Sequence, residues 1–240
     1  MSAARATDGV MGQGTNMTTT VRRVSLGATL AVAFLASMPA RAGVVAVVNP
    51  SFEILPPGGL PIACGLGCSY SFGPAPGWSG GGGGQLKPGV LSGNTTLFNY
   101  LPDGATVAYT NGGALSQTVA ATAVAGRSYT LKVDVGFRKD DFADVDMVAL
   151  VVGGHTIYAS GATLQSSGDW ATWTAGYTAT AADAGAPITI VLDTLNGPQG
   201  NFDNVRLTTG VPEASAWTLM LFGVGALGFA SRRRRAFALA

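Results

Sequence analysis

The stretch 128–137, Ser-Tyr-Thr-Leu-Lys-Val-Asp-Val-Gly-Phe, alternates with a period of two. Tyr129, Leu131, Val133, Val135 and Phe137 fall on one face, and Ser128, Thr130, Lys132 and Asp134 on the other. Only an extended strand with one side buried uses such a pattern. Comparable segments occur at 44–48, 105–110, 114–119, 146–152, 170–179, 187–193 and 202–208. Turn signals separate them: Pro102-Asp103-Gly104, Asn111-Gly112-Gly113, Gly153-Gly154 and Asn196-Gly197-Pro198. No segment between 43 and 210 sustains a 3.6-residue period. Short strands between regular turns predict an all-β chain, a β-sandwich or jelly roll, and 43–210 is long enough for one core. The stretch 55–101 reads as looser, with most of the prolines and the run Gly80 to Gly84 expected to be a flexible surface loop. That run is followed by no Gly-Lys-Ser/Thr and no helical pattern, so it is not a phosphate-binding loop.

The net charge of +1 hides an asymmetry. Between 43 and 210 the basic residues are Lys87, Arg127, Lys132, Arg138, Lys139 and Arg206. Against them stand Glu53, Asp103, Asp134, Asp140, Asp141, Asp144, Asp146, Asp169, Asp183, Asp193 and Asp203, so the middle is acidic and offers no nucleic-acid surface. Basic residues gather instead at the ends, where they read as membrane topology. Arg22-Arg23, the apolar run 24–38 and Ala40-Arg41-Ala42 form the three parts of a secretory signal, which predicts a mature chain from Gly43. Met17 is a plausible true start within the leader 1–42. Near the other end, Trp217 to Ala230 is apolar and Arg232, Arg233, Arg234 and Arg235 follow it. Fourteen helical residues span roughly 21 Å against a hydrocarbon core of about 30 Å, so the segment 217–230 is a short membrane helix. Its arginines are expected to stay cytoplasmic with 236–240, leaving 43–210 outside.

Val211-Pro212-Glu213, then Trp217, the Gly-rich apolar segment and the arginine cluster, together resemble a PEP-CTERM sorting tail over 211–235. Ala214 stands where that family usually has a second proline. The resemblance implies a Gram-negative bacterium and a membrane protease partner, exosortase. It further implies a tethered precursor at the inner membrane, followed by release to the cell surface or extracellular matrix.

A second resemblance covers the middle. Asn49-Pro50-Ser51-Phe52-Glu53, Pro76-Gly77-Trp78, Asp103-Gly104 through Tyr109, Leu115-Ser116-Gln117-Thr118-Val119 and Asn201-Phe202-Asp203-Asn204-Val205-Arg206-Leu207 resemble a galactose-binding-like jelly roll. That group contains carbohydrate-binding modules and a cell-wall-associated branch. In related jelly rolls a structural Ca²⁺ sits where first and last strands meet, which makes Glu53 and Asp203 candidate oxygen ligands. Sugar recognition by such modules implies aromatic faces. The candidates are Trp170, Trp173 and Tyr177, with Phe98 and Tyr100 also available. Trp170 and Trp173 have opposite parity, so at most one of them faces the core.

Catalytic signatures are sparse. His155 is the single histidine and sits beside the Gly153-Gly154 turn, and no Gly-x-Ser-x-Gly occurs. The dense acidic group Asp140, Asp141, Asp144 and Asp146 reads as a polar hairpin end more readily than as a metal or acid–base site. One histidine and two cysteines disfavour zinc. Cys64 and Cys68 flank Gly65-Leu66-Gly67, and an even count in an exported chain predicts a disulfide between them. The expectation is a non-catalytic envelope protein that binds carbohydrate or exopolysaccharide. The alternative is a structural or adhesive matrix protein acting through protein contacts.

Overall fold

The computed structural model describes residues 43–91, 94–95, 97–140, 146–164, 167–195 and 199–210. The leader, the cleavage site, the sorting tail with its membrane segment, Asp141, Asp144 and the Asn196-Gly197-Pro198 turn lie outside the described residues. The strands are, in order, β1 (Gly43–Val45), β2 (Ile62–Gly65), β3 (Cys68–Tyr70), β4 (Ser79–Gly80), β5 (Gly83–Lys87), β6 (Val90–Leu91), β7 (Asn94–Thr95) and β8 (Val107–Thr110). They continue with β9 (Leu115–Thr122), β10 (Ser128–Gly136), β11 (Asp146–Val152), β12 (His155–Tyr158), β13 (Trp170–Thr178), β14 (Pro187–Thr194) and β15 (Gly200–Gly210).

The large sheet runs β13-β10-β15-β8-β5-β3-β2, and β1 pairs with the far part of β15. A smaller sheet runs β12-β11-β14-β9-β4. The two form an all-β jelly-roll sandwich. Leu131, Val133 and Val135 of β10, Leu150 of β11, Ile190 and Leu192 of β14 and Phe202 of β15 interleave between the sheets, all fully buried. These are the apolar halves of the alternating segments, so the register follows from which face must leave water. At the N-terminal side, Phe52 packs on Trp78 with ring centroids 5.2 Å apart.

The expectation of a flexible glycine loop at 80–84 is corrected here. Gly83 and Gly84 lie in β5, inside the large sheet between β8 and β3. A Cβ at Gly83 would stand 2.2 Å from the Tyr109 carbonyl oxygen, and one at Gly84 2.1 Å from that of Ser71. The glycines allow close backbone approach; they do not confer flexibility.

A second, smaller apolar cluster lies on the outer face of the large sheet. Leu86 (β5), Val107 and Tyr109 (β8), Cys68 (β3) and Trp170 (β13) point away from the sandwich core and meet Phe98. Alternation explains the division, because Ala108 between Val107 and Tyr109 faces the main core.

Candidate functional site

Sheet faces in a sandwich normally shed apolar residues on the solvent side, so an aromatic cluster there needs a reason. On this outer face a pocket of about 490 Å³ opens, a size suited to one small organic molecule. Its floor is Tyr70, Leu86 and Tyr109. One wall is the β2–β3 hairpin, where Gly65, Leu66 and the disulfide-bonded Cys64 and Cys68 stand beside Phe72. The disulfide anticipated from the cysteine spacing is present. Phe72 is 74% exposed and meets Tyr70 edge-on at 5.4 Å. Tyr109 donates its hydroxyl to the Ser71 carbonyl at 2.8 Å, and burial, helped by Tyr70, pushes its pKa upward. The opposite rim is polar. Arg138 holds Asp140 through two parallel bonds, Nε to Oδ1 at 2.8 Å and Nη2 to Oδ2 at 2.5 Å, and donates Nη1 to Gln199 Oε1.

From that rim a row of polar residues runs inward along the same face. Asn201 is opposite Tyr109 on one side and Gly136 on the other. Asp203 follows two residues later and is opposite Asp134. Asp134 accepts Thr172 Oγ1 at 2.6 Å, Asn204 Nδ2 at 2.9 Å and Arg206 Nη2 at 2.9 Å, so its charge is compensated. Asp203 is fully buried and receives only backbone donors, from Asn204 at 2.7 Å and Asp103 at 3.1 Å. Burial pushes its pKa up to about 8; the carboxylates of Asp103 and Asp134 add to the rise while the two N–H bonds oppose it. Desolvation wins, so this carboxyl keeps its proton at neutral pH.

The segment from Leu97 to Asp103 roofs this row. Lys139 donates its backbone N–H to the Leu97 carbonyl at 2.9 Å and its Nζ to that of Phe98 at 2.9 Å. Asn99 binds the Gly168 carbonyl at 2.7 Å and Asp169 at 2.6 Å. Trp170 donates Nε1 to the Tyr100 carbonyl at 2.9 Å while its ring packs on Phe98 at 4.7 Å.

The candidate ligand aromatics are not brought together. Trp170 lies on the outer face beneath the roof. Trp173 and Tyr177 lie on the opposite face, packed against the main core. Trp173 donates to the Ala162 carbonyl at 3.0 Å, and Tyr177 donates its hydroxyl to Asp183 at 2.7 Å, which raises the pKa of Tyr177. Asp183 also accepts Thr180 N and Oγ1, and these bonds hold its pKa down. His155 stands 3.6 Å from Asp183 and is largely exposed, away from the pocket.

Glu53 and Asp203 do converge, but on a turn. Glu53 Oε1 accepts the N–H groups of Ala105 and Thr106 at 2.8 and 2.7 Å and the Thr106 hydroxyl at 2.9 Å, while Asp203 takes the N–H of Asp103. These bonds make a hydrogen-bonded clamp on residues 103–106. No group of three or more His, Cys, Asp or Glu suited to a metal occurs among the described residues.

Sequence reasoning missed Tyr70, Phe72, Arg138, Gln199 and Asn201. The first two belong to the glycine-rich stretch read as loop. The others gain meaning only from strand pairing between distant segments.

Comparison with solved structures places the fold beside a Stig cyclase, Fisc, from Fischerella sp. TAU in complex with (3Z)-3-(1-methyl-2-pyrrolidinylidene)-3H-indole. The match has 23% identity, a TM-score of 0.57 and covers 70% of this chain and 98% of that one. A cyclase from Fischerella sp. TAU in complex with 4-(1H-indol-3-yl)butan-2-one matches at 23% identity and TM-score 0.54, over 69% and 96% of the two chains. The module TmCBM61 in complex with β-1,4-galactotriose also matches, at 18% identity and TM-score 0.38, over 68% and 97%. No curated protein matches the sequence. Residues 210–235 match the PEP-CTERM protein-sorting motif, which implies export. Residues 43–208 match the HpiC1-like family, whose description is HpiC1 cyclase, and this match overturns the expectation of a protein without catalysis. The chain is thus a member of the HpiC1-like cyclase family that carries a PEP-CTERM tail.

Proposed function

We propose that this protein is an exported cyclase that binds a compact, ring-bearing, largely apolar molecule on the outer face of its large sheet and uses Asp203 as general acid. The observation that carries this reading is the coincidence, on one sheet face, of an aromatic-floored pocket with a carboxyl that stays protonated at neutral pH. An acid promotes ring closure by protonating a basic atom of the substrate, and a carboxyl kept neutral by its surroundings is suited to that task. The positive charge that develops would be met by the π faces of Tyr109 and Trp170. Asp203, left as carboxylate, recovers its proton from the cyclised product, so the cycle is an isomerisation that consumes nothing. The roof from Leu97 to Asp103 has to be displaced for substrate to reach Asp203, which breaks the Asp103 N–H bond to it. The indole compounds held by the two Fischerella cyclases are of a size that suits a 490 Å³ pocket.

Carbohydrate binding is a second reading, supported by Phe72, an exposed aromatic edge-on to Tyr70 at the pocket rim. Titration of the exported, disulfide-bonded protein with 4-(1H-indol-3-yl)butan-2-one and with β-1,4-galactotriose separates the two. Binding of the indole with none of the saccharide supports the cyclase reading; the reverse refutes it. Among ring-closing substrates accepted by wild type, Asp203→Asn is expected to retain binding and lose turnover by 10²-fold or more, of the order that general acid catalysis supplies.

A further inference from the structure

Asn201 is the most anomalous polar side chain among the described residues. Its side chain is fully buried, and neither Oδ1 nor Nδ2 has a hydrogen-bond partner. Buried amides are nearly always satisfied, because leaving both ends of one unpaired is costly. Strand alternation fixes where this amide points. Phe202 faces the main core, so Asn201 and Asp203 face outward. Its neighbours across the sheet are Tyr109, on the pocket floor, and Gly136, over which the Trp170 ring lies. Neighbouring strands are about 4.8 Å apart, so the amide stands on the outer face beside the Trp170 ring, while the Tyr109 ring on its other side reaches away toward Ser71. Gln199, on the pocket rim, precedes it by two residues, and Asp203 follows by two.

We infer that Asn201 is the specificity-determining residue of the site and reads a cyclic amide or an equivalent ring that presents N–H and C=O side by side. This rests on the reading that the outer face is the ligand site. A carboxamide offers one acceptor and one donor in a plane, which a ring with an adjacent N–H and C=O matches with two parallel bonds. The ring of Trp170 would stack on a flat ligand held there, and two residues on, the Asp203 carboxyl would lie against its edge. An unpaired donor and acceptor in the free protein give the site its discrimination. A ring lacking the polar pair leaves both amide ends buried and unsatisfied, and is rejected for that reason.

The test compares oxindole, 1-methyloxindole and indene by calorimetric titration of the exported wild-type protein and of Asn201→Leu. Oxindole is expected to bind wild type at least tenfold more tightly than either analogue. In Asn201→Leu the three should converge to within about twofold while the melting temperature rises, because an unsatisfied amide has been exchanged for a side chain of similar size. The 1-methyloxindole comparison needs only wild type, so it stands even if the variant fails to fold. Equal binding of the three rings to wild type overturns the role of Asn201 and leaves the pocket intact. An unchanged preference in Asn201→Leu assigns the amide to a buried water and likewise overturns it. Failure of all three to bind removes the outer-face site itself, and the inference with it.

Discussion

Replacing Asp203 with Asn isolates a carboxyl whose pKa burial raises. Its pKa is about 8 in the folded chain against 3.8 for an open one. Between those values the folded state holds a proton that the unfolded state has released. The unfolded chain thus binds fewer protons, and stability falls as pH rises across that window. The contribution is fully present below 3.8 and lost as pH climbs through 8. At about 1.4 kcal/mol per pH unit the ceiling is about 6 kcal/mol, or roughly 12–24 °C in melting temperature for a domain of this size. The assay is urea unfolding of the disulfide-intact protein from pH 4.5 to 8.5 with a chelator present, for wild type and Asp203→Asn. The two should be nearly equal in stability at pH 4.5, with the variant increasingly the more stable toward pH 8.5. A difference that is flat in pH, or of opposite sign, would refute the claim that Asp203 is a neutral acid. So would a slope that excess Ca²⁺ erases, since the carboxylate would then be a cation ligand with Glu53.

Four other outcomes are expected. Gly84→Ala should cost several kcal/mol and abolish soluble export, because its Cβ would stand 2.1 Å from the Ser71 carbonyl, a backbone atom that cannot yield; a melting curve of any recovered protein decides it. The double change Cys64→Ser and Cys68→Ser should lower stability by no more than about 3 kcal/mol, since the ring is small, yet weaken ring binding by loosening the Leu66 wall. Arg138→Ala should weaken binding of ligands with a polar end and cost about 1–3 kcal/mol in urea unfolding, because the side chain is largely buried and its loss leaves the Gln199 amide without that donor. Peptide mapping of matured protein from cells with exosortase should find Gly43 at the start and no peptide beyond about Glu213, whereas cells lacking the protease should retain the longer chain.

Much of the sandwich was legible because strands such as β9, β10 and β14 bury one side over much of their length, and a half-buried strand writes its register into the alternation of residues such as Leu131, Val133 and Val135. The strands β2 to β5 were not, since what places Gly83 and Gly84 in a sheet is the approach of Tyr109 and Ser71 from elsewhere in the chain. The site was harder still. Parity told that Trp170 and Trp173 part company, but not that Trp170 takes the outer face with Phe98. Asn201, Tyr109 and Gly136 become neighbours through two strand pairings, one of which shifts register between Lys132 and Asp134. A register shift of that kind leaves no local mark, so the juxtaposition it creates cannot be read along the chain.

The strand β15 does one more thing by its length alone. It starts beside Gln199 at the polar rim of the pocket and ends at Gly210, where the sorting motif begins. Eleven residues of extended chain measure about 33 Å from end to end. Gly43, the expected first residue after export, pairs next to that same far end, at Thr209. Whatever holds the chain after Gly210, lipid or protease, therefore pulls on the end of β15 that lies far from the polar rim of the pocket.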